Sequence, residues 1–155
     1  MNYTIKTTRW DKDKTALSSI RKKVFIEEQK VPEELEWDEY DEQCTHVLVT
    51  DNQNKPIACG RIKPNGHIGR MAVLKEHRNT GIGTAILKEL IKSAINNNTK
   101  KVYLHAQTSA IPFYEKQGFK TCSEEFMDAN IPHKTMEKNA ETTTPPVGAP
   151  SGAQH

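Results

Sequence analysis

The chain lacks any long apolar run. Its aliphatic stretches are as short as Val47-Leu48-Val49, whereas a helix that crosses a bilayer needs about 20 apolar residues. Residues 1–15 are polar, with no apolar stretch and cleavage site behind them. That pattern excludes a secretory signal and a membrane partner, and the expected location is cytoplasmic. Cysteine is scarce: Cys44, Cys59 and Cys122 are odd in number and share no CxxC spacing. A disulfide scaffold and a four-cysteine zinc site are thereby excluded. Neither sign of charge dominates. Against 22 Lys and Arg stand 20 Asp and Glu, a net charge of +2, which gives no ground for nucleic-acid binding. Hydrophobic residues are also sparse, at 35% of 155. Part of that deficit lies in residues 138–155, where Pro145, Pro146, Pro150 and a run of three threonines surround one large aliphatic residue, Val147. Such a stretch cannot bury enough surface to offset its ordering entropy. The expectation is one domain over residues 1–137, long enough for a real core, followed by a disordered tail.

Within that domain helical and strand periodicities alternate. Residues 3–8 alternate as a strand. Asp11 or Asp13 can cap a helix running to about Gln29, with Leu17, Ile20 and Val24 on one face and Pro32 as its stop. An acidic, irregular segment follows to Gln43. Three strand-like runs, residues 45–50, 56–63 and 67–74, are separated by Asp51-Asn52 and Pro64-Asn65-Gly66, which predicts an antiparallel meander. Ile82, Ala85, Ile86, Leu90, Ile91 and Ala94 recur at helical spacing, and residues 101–106 read as the next strand. That order is a β-α-β unit, whose strands are parallel. A short helix near residues 109–117 ends at Gly118, and residues 119–122 and 135–138 complete the sheet.

Between a predicted strand and a predicted helix stands Arg78-Asn79-Thr80-Gly81-Ile82-Gly83. Glycine lets a backbone approach a ligand closely. A helix start offers free amides and a positive dipole end, a site for phosphate or pyrophosphate. A tight turn with close helix–sheet packing is the alternative. Two nucleotide motifs are excluded. A P-loop requires lysine after its last glycine, but Thr84 follows Gly83. A dinucleotide fold requires a small residue where Ile86 stands and an acidic residue at the end of the next strand. That strand ends Leu104-His105-Ala106-Gln107.

Arg78-x-x-Gly81-x-Gly83, preceded by Ile68-Gly69-Arg70-Met71-Ala72-Val73, resembles the acetyl-CoA motif of the GNAT N-acetyltransferases. Gln107-x-x-Ala110-x-x-Phe113-Tyr114-Glu115-Lys116-Gln117-Gly118-Phe119 is similar to the family's second signature. Val24-Phe25-Ile26-Glu27-Glu28-Gln29-x-Val31-Pro32, Leu104-His105-Ala106-Gln107 and Ile131-Pro132-His133-x-x-Met136 resemble the ElaA-like branch. The resemblance spans about residues 3–137, with its motifs in order. It implies an α/β fold: a mixed sheet with antiparallel N-terminal strands, a central parallel β-α-β unit and helices on both faces. It also implies acetyl-CoA as acyl donor. The pyrophosphate is expected on the amides of Arg78, Asn79, Thr80, Gly81, Ile82 and Gly83. The pantetheine arm is expected along Met71, Ala72 and Val73, with Gln107 and Phe113 as further cofactor contacts. Tyr114 is the implied general acid, a phenol that stays protonated at neutral pH; its alternative is a packing residue beside Phe113. Asn79 stands where the family often has glycine, and asparagine tolerates unusual backbone angles. Gln107 stands where many members carry asparagine.

The amine must also lose a proton. Glu27, Glu28, Asp41, His46, His105 and His133 are candidate bases, and a water chain is another route. Cys44-x-His46 is one pair without the second half a metal site needs, so no metal is expected. Residues 33–42, EELEWDEYDE, contain seven acids in ten. They form either a solvated loop or an acidic rim that steers a cationic amine, with Trp37 and Tyr40 as walls. Glu28, Trp37, Asp41 and His105 are accordingly the acceptor-binding candidates. The sequence therefore reads as an N-acetyltransferase acting directly on a small-molecule primary amine, with homodimerisation open. An acyl-CoA-binding module without turnover and a peptide-binding domain are the alternatives.

Overall fold

The computed structural model describes residues 2–140. Its strands are β1 (Tyr3–Thr8), β2 (Thr45–Asp51), β3 (Pro56–Ile62), β4 (His67–Val73), β5 (Lys101–Gln107), β6 (Lys120–Thr121), β7 (Phe126–Asp128) and β8 (Ile131–Asn139). They form one mixed sheet in the order β1-β2-β3-β4-β5-β8, with β6 and β7 both pairing with β8. β1 to β4 are antiparallel neighbours, as the meander predicts. β4 and β5 are parallel and are joined by α3 (Ile82–Asn96).

Helices cover both faces, and alternation along β3 shows which residues meet which helix. Gly60 faces α3: a Cβ there would lie 2.7 Å from Ile86 and 3.1 Å from Leu90. Arg61 faces the other side, where Asp41 joins it to Arg21 of α1 (Trp10–Arg21). Leu17, Ile20 and Val24 are buried under one face, and Ile86, Leu90 and Ala94 under the other. The expected fold class holds.

Local differences have physical causes. The first helix does not remain α-helical to Gln29. From Lys22 to Glu28 it is a π-helix, ended by the left-handed Lys30 at φ 63°. The wider turn re-aims the side chains that follow, a use common at functional sites. The acidic segment contains a short helix, α2 (Glu33–Glu36), and a 3₁₀ turn at Asp41–Gln43. The β7–β8 hairpin is absent from the sequence reading. Its turn places Ala129 and Asn130 at φ 52° and 64°, a left-handed pair usually signalled by Asn-Gly. The expected domain end at residue 137 lies inside β8. Lys138 and Asn139 pair with Val102 and Lys101, and the Ala140 amide donates to the Lys100 carbonyl at 2.9 Å. The rest of the expected tail, residues 141–155, lies outside the described residues.

Gly60 allows α3 to close on the sheet, so Gly60→Ala should overpack that contact. We expect a loss of about 1–3 kcal/mol, read from urea unfolding. Gly69→Ala, with nothing within 4 Å of the added Cβ, should unfold close to wild type.

Candidate active site

The site begins where β4 leaves β5. Their ladder holds only at His67 with Tyr103 and Ile68 with Leu104. Immediately beyond, β4 contains an extra residue: Cys59 pairs with Ala72 but Arg61 with Gly69. This bulge centres on Arg70, whose φ is 51°, a left-handed conformation that β-bulges often use. The Leu74 amide donates to Ile57 of β3 at 3.0 Å. By alternation, the polar groups of Met71 and Val73 turn toward the gap. The parted strands leave a cleft of about 300 Å³. Phe25 of the π-helix and Gln29 and Val31 just after it overhang the cleft, Asp128 and Ile131 close it from the β7–β8 hairpin, and Tyr114 and Ala110 line its far wall.

The glycine loop follows β4. Asn79 is left-handed at φ 62°, as asparagine permits, and Gly81 at φ 86° begins α3. No side chain caps that helix start, so its first amides remain available to an anion. A Cβ at Gly81 would meet nothing within 4 Å, and at Gly83 only Phe113, at 3.6 Å. Arg78 bonds the Val73 carbonyl through Nε at 2.9 Å and grips Glu28 with two bonds of 2.7 Å. Gln107 donates to Gln29 at 2.9 Å across the cleft. Loop, strand and overhang are thus tied together.

Tyr114 projects from α4 (Ile111–Lys116). Its ring meets Phe113 edge-on at 5.0 Å and Phe119 at 5.9 Å, and its hydroxyl lies 3.8 Å from the Met71 sulfur. Burial pushes the phenol up to about 12. His67, His105 and His133 also line the cleft. His67 stacks on Tyr103 at 4.7 Å; burial, then neighbouring His105, pull it down to about 3. Burial also lowers His105, against the charge of Asp128.

The acidic segment does not form a free rim. Glu36 and Asp41 are buried, 2% and 3% exposed. Arg21 bonds Glu36 at 2.8 Å and Asp41 at 2.7 Å, while Arg61 bonds Asp41 at 2.7 Å and Asp38 at 2.9 and 2.7 Å. Arg70 reaches Asp38 at 3.2 Å. Trp37 lies against the chain's own cation, Arg21, at 5.1 Å, and Lys63 sits 3.9 Å over Tyr40. Asp41 and Trp37, expected at the acceptor site, instead hold the segment on the sheet. Glu28 is engaged by Arg78, and His46 is buried against the Asp41 carbonyl at 2.9 Å. Of the expected acceptor residues only His105 lines the cleft. Gln107 and Met71 line it too, while Phe113 packs beside Gly83. The sequence reading missed Gln29, His67, Arg70 and Asp128. Alternation along β4 puts His67 and Arg70 on opposite faces, and only the bulge between Gly69 and Ala72 lets both line the cleft.

Burial works to raise Asp38, but the bonds and charge of Arg61, with Arg70, pull it down to about 2. A depressed carboxylate contributes stability above its unfolded value of 3.8, lost as pH falls through about 2. Urea unfolding of wild type and Asp38→Asn should therefore show a gap that narrows from pH 5 to pH 2. A constant gap would show that Asp38 is not an ionised partner.

Known proteins share this fold. The family model for the acetyltransferase (GNAT) domain matches residues 11–140. The uncharacterized N-acetyltransferase YjcF of Bacillus subtilis is 43% identical over 124 residues, covering 77% of this chain and 88% of that protein. Among solved structures, Escherichia coli ElaA superposes with a TM-score of 0.79 at 24% identity, over 88% of this chain and 99% of its own. A GNAT family acetyltransferase from Elizabethkingia anophelis with acetyl-CoA bound gives a TM-score of 0.67 at 20% identity, over 89% and 98%. At those identities the two structures establish the fold. With the family match and the Bacillus relative, the conclusion is that this chain belongs to the GNAT acetyltransferases and is an N-acyltransferase.

Proposed function

We propose that the chain transfers the acetyl group of acetyl-CoA directly to a primary amine of a small molecule, with Tyr114 as general acid. One observation carries the reading: a protonated phenol lines the cleft 3.8 Å from Met71, where the β4 backbone turns toward the gap. The residues suit the donor. The uncapped start of α3 and its glycine approach fit a pyrophosphate, and the open edge of β4 fits an extended amide-bearing arm. The solved relative with acetyl-CoA bound adds support.

Acetyl-CoA supplies an activated carbonyl and a thiolate leaving group. The β4 backbone amides turned toward the gap hydrogen-bond the carbonyl oxygen where negative charge develops. The amine nitrogen forms the new C–N bond, the C–S bond breaks, and Tyr114 gives its proton to sulfur. No cysteine is placed to serve as nucleophile. Cys59 is buried and pushed up to about 12 by that burial, and Cys44 is buried and raised. The amine proton leaves to water or to an imidazole of the cleft, of which His105 is the exposed one.

The deciding measurement is free-thiol release from acetyl-CoA over a panel of primary amines. Amine-dependent release supports the reading; acetyl-CoA binding without release from any amine would favour a binding module. Tyr114→Phe should lower kcat by about 10²–10⁴-fold with little change in acetyl-CoA affinity. A variant as fast as wild type, with chemistry limiting, would leave Tyr114 a packing residue.

The pH profile follows from the same phenol. With Tyr114 near 12, the acid stays protonated throughout the range in which amines lose their protons. kcat/KM should therefore rise with pH without a falling limb below about pH 10. A fall near pH 8 would exclude Tyr114 as the acid. Gly83→Val should weaken acetyl-CoA binding by calorimetry, and unchanged affinity in the folded variant would remove the pyrophosphate from the helix start.

A further inference from the structure

Three guanidiniums and three carboxylates meet under α2, but they do not share their charge evenly. Arg21 and Arg61 are buried, with side chains 1% and 3% exposed, and both bond carboxylate oxygens at 2.7–2.9 Å. Arg70 is 26% exposed and lines the cleft. Its three hydrogen bonds all come from Nη2: to the Leu35 carbonyl at 3.3 Å, the Glu36 carbonyl at 3.0 Å and Asp38 at 3.2 Å. Its Nε lies 3.2 Å from Glu36 Oε2. That oxygen already accepts from Arg21 at 2.8 Å, and among the described residues the buried Nε makes no hydrogen bond. A buried donor without a partner is costly. Burial, with Arg61 and Arg21 nearby, lowers Arg70 despite Glu36, whereas Arg21 and Arg61 are raised. Arg70 is the most loosely paired cation of the cluster, 3.2 Å from Glu36 and Asp38 where Arg21 and Arg61 approach their carboxylates to 2.7–2.9 Å, and it lines the cleft.

The remaining lining offers little to a purely cationic acceptor. Its carboxylates are Glu36, committed to Arg21, and Asp128 at the hairpin turn. Its imidazole His67 is held neutral at about 3, and Phe25, Val31, Leu35 and Ile131 supply apolar walls.

We propose that the acceptor carries a carboxylate in addition to its amine, as amino acids do, and that Arg70 selects it. The inference rests on the transferase reading above. The left-handed bulge places Arg70 in the cleft lining, and its Nη1, which makes no hydrogen bond among the described residues and is not among its buried unpartnered atoms, can donate charge-assisted bonds to a carboxylate. Charge-assisted bonds of this kind discriminate against an analogue that lacks the anion by about 10–100-fold.

The test uses matched pairs that differ only in the anion: glycine and glycinamide, β-alanine and β-alaninamide, and L-amino acids with their amides. Putrescine serves as the cationic reference. Wild type should favour the carboxylate member by about 10-fold or more in kcat/KM. The acid-to-amide ratio should fall toward unity in Arg70→Gln and part of the way in Arg70→Lys, which keeps the charge but not the Nη1 donor. Taking the ratio within each variant cancels general damage, and the wild-type ratio decides if Arg70→Gln does not fold. Preference for amides or putrescine, or an unchanged ratio in both variants, would overturn the inference. A binding arm separates it from the transferase reading: N-acetylglycine against N-acetylglycinamide, each with CoA present, by thermal shift. An Arg70-dependent shift for the acid alone, without turnover of any amine, sinks the transferase reading and keeps the carboxylate site. Equal shifts for the two probes, together with equal turnover of acids and amides, sink the carboxylate site alone.

Discussion

Beyond Ile68, β4 and β5 share no ladder, and the site is arranged around that gap. Parallel neighbours normally continue side by side, so the parting needs a cause. The cause is one extra residue in β4, with Arg70 held at φ 51°. A non-glycine residue in that conformation costs about 1–3 kcal/mol and persists because its surroundings hold it. Arg70 is fixed from one side by the carbonyls of Leu35 and Glu36 and by Asp38. Gly60, opposite the bulge, leaves room for Met71 and for Ile86 of α3. Bulge, missing side chain and arginine anchor are one device.

The same arginine connects the gap to the buried charges. Residues 33–42 could have remained a solvated acidic loop. Instead Glu36, Asp38 and Asp41 fold under to meet Arg21, Arg61 and Arg70, leaving Glu33, Glu34, Glu39 and Glu42 in water. A buried ionic cluster is weak evidence for added stability, because desolvation offsets much of its attraction. Its geometric consequence is firmer. It fixes one chain segment over the cleft, while Arg78–Glu28 and Gln107–Gln29 fix the preceding overhang. The walls of the cleft are thus assembled from separate parts of the chain.

Features built from neighbouring residues were legible in the sequence. The helical spacing of Ile82 to Ala94 and the turns between β2, β3 and β4 needed no tertiary information. The glycine approach to α3 was equally local, since Asn79, Gly81 and Gly83 shape one short stretch of backbone. Tyr114 was legible through the run of residues around it. The π-helical turn was not, because the 3.6-residue spacing of Leu17, Ile20 and Val24 gives no sign of where the ladder widens. The β7–β8 hairpin escaped because Ala129-Asn130 is not a usual turn pair.

The acidic segment was misread for a different reason. Seven acids in ten residues fix a composition, and composition does not say which carboxylates find a guanidinium 15 to 34 positions away. Alternation along β4 also failed, because an inserted residue reverses the facing of every side chain after it. The bulge sets Met71 with Gly60 on the α3 face and Ala72 with Cys59 on the other. The sequence by itself determined the fold class, the helix-start loop and the phenol, all of which depend on residues close together in the chain. Only the tertiary structure decided the width of the gap, the partners of the acidic segment and the guanidinium left facing the cleft. Those depend on long-range pairing of charges and on a single backbone insertion, and neither has a periodicity to read.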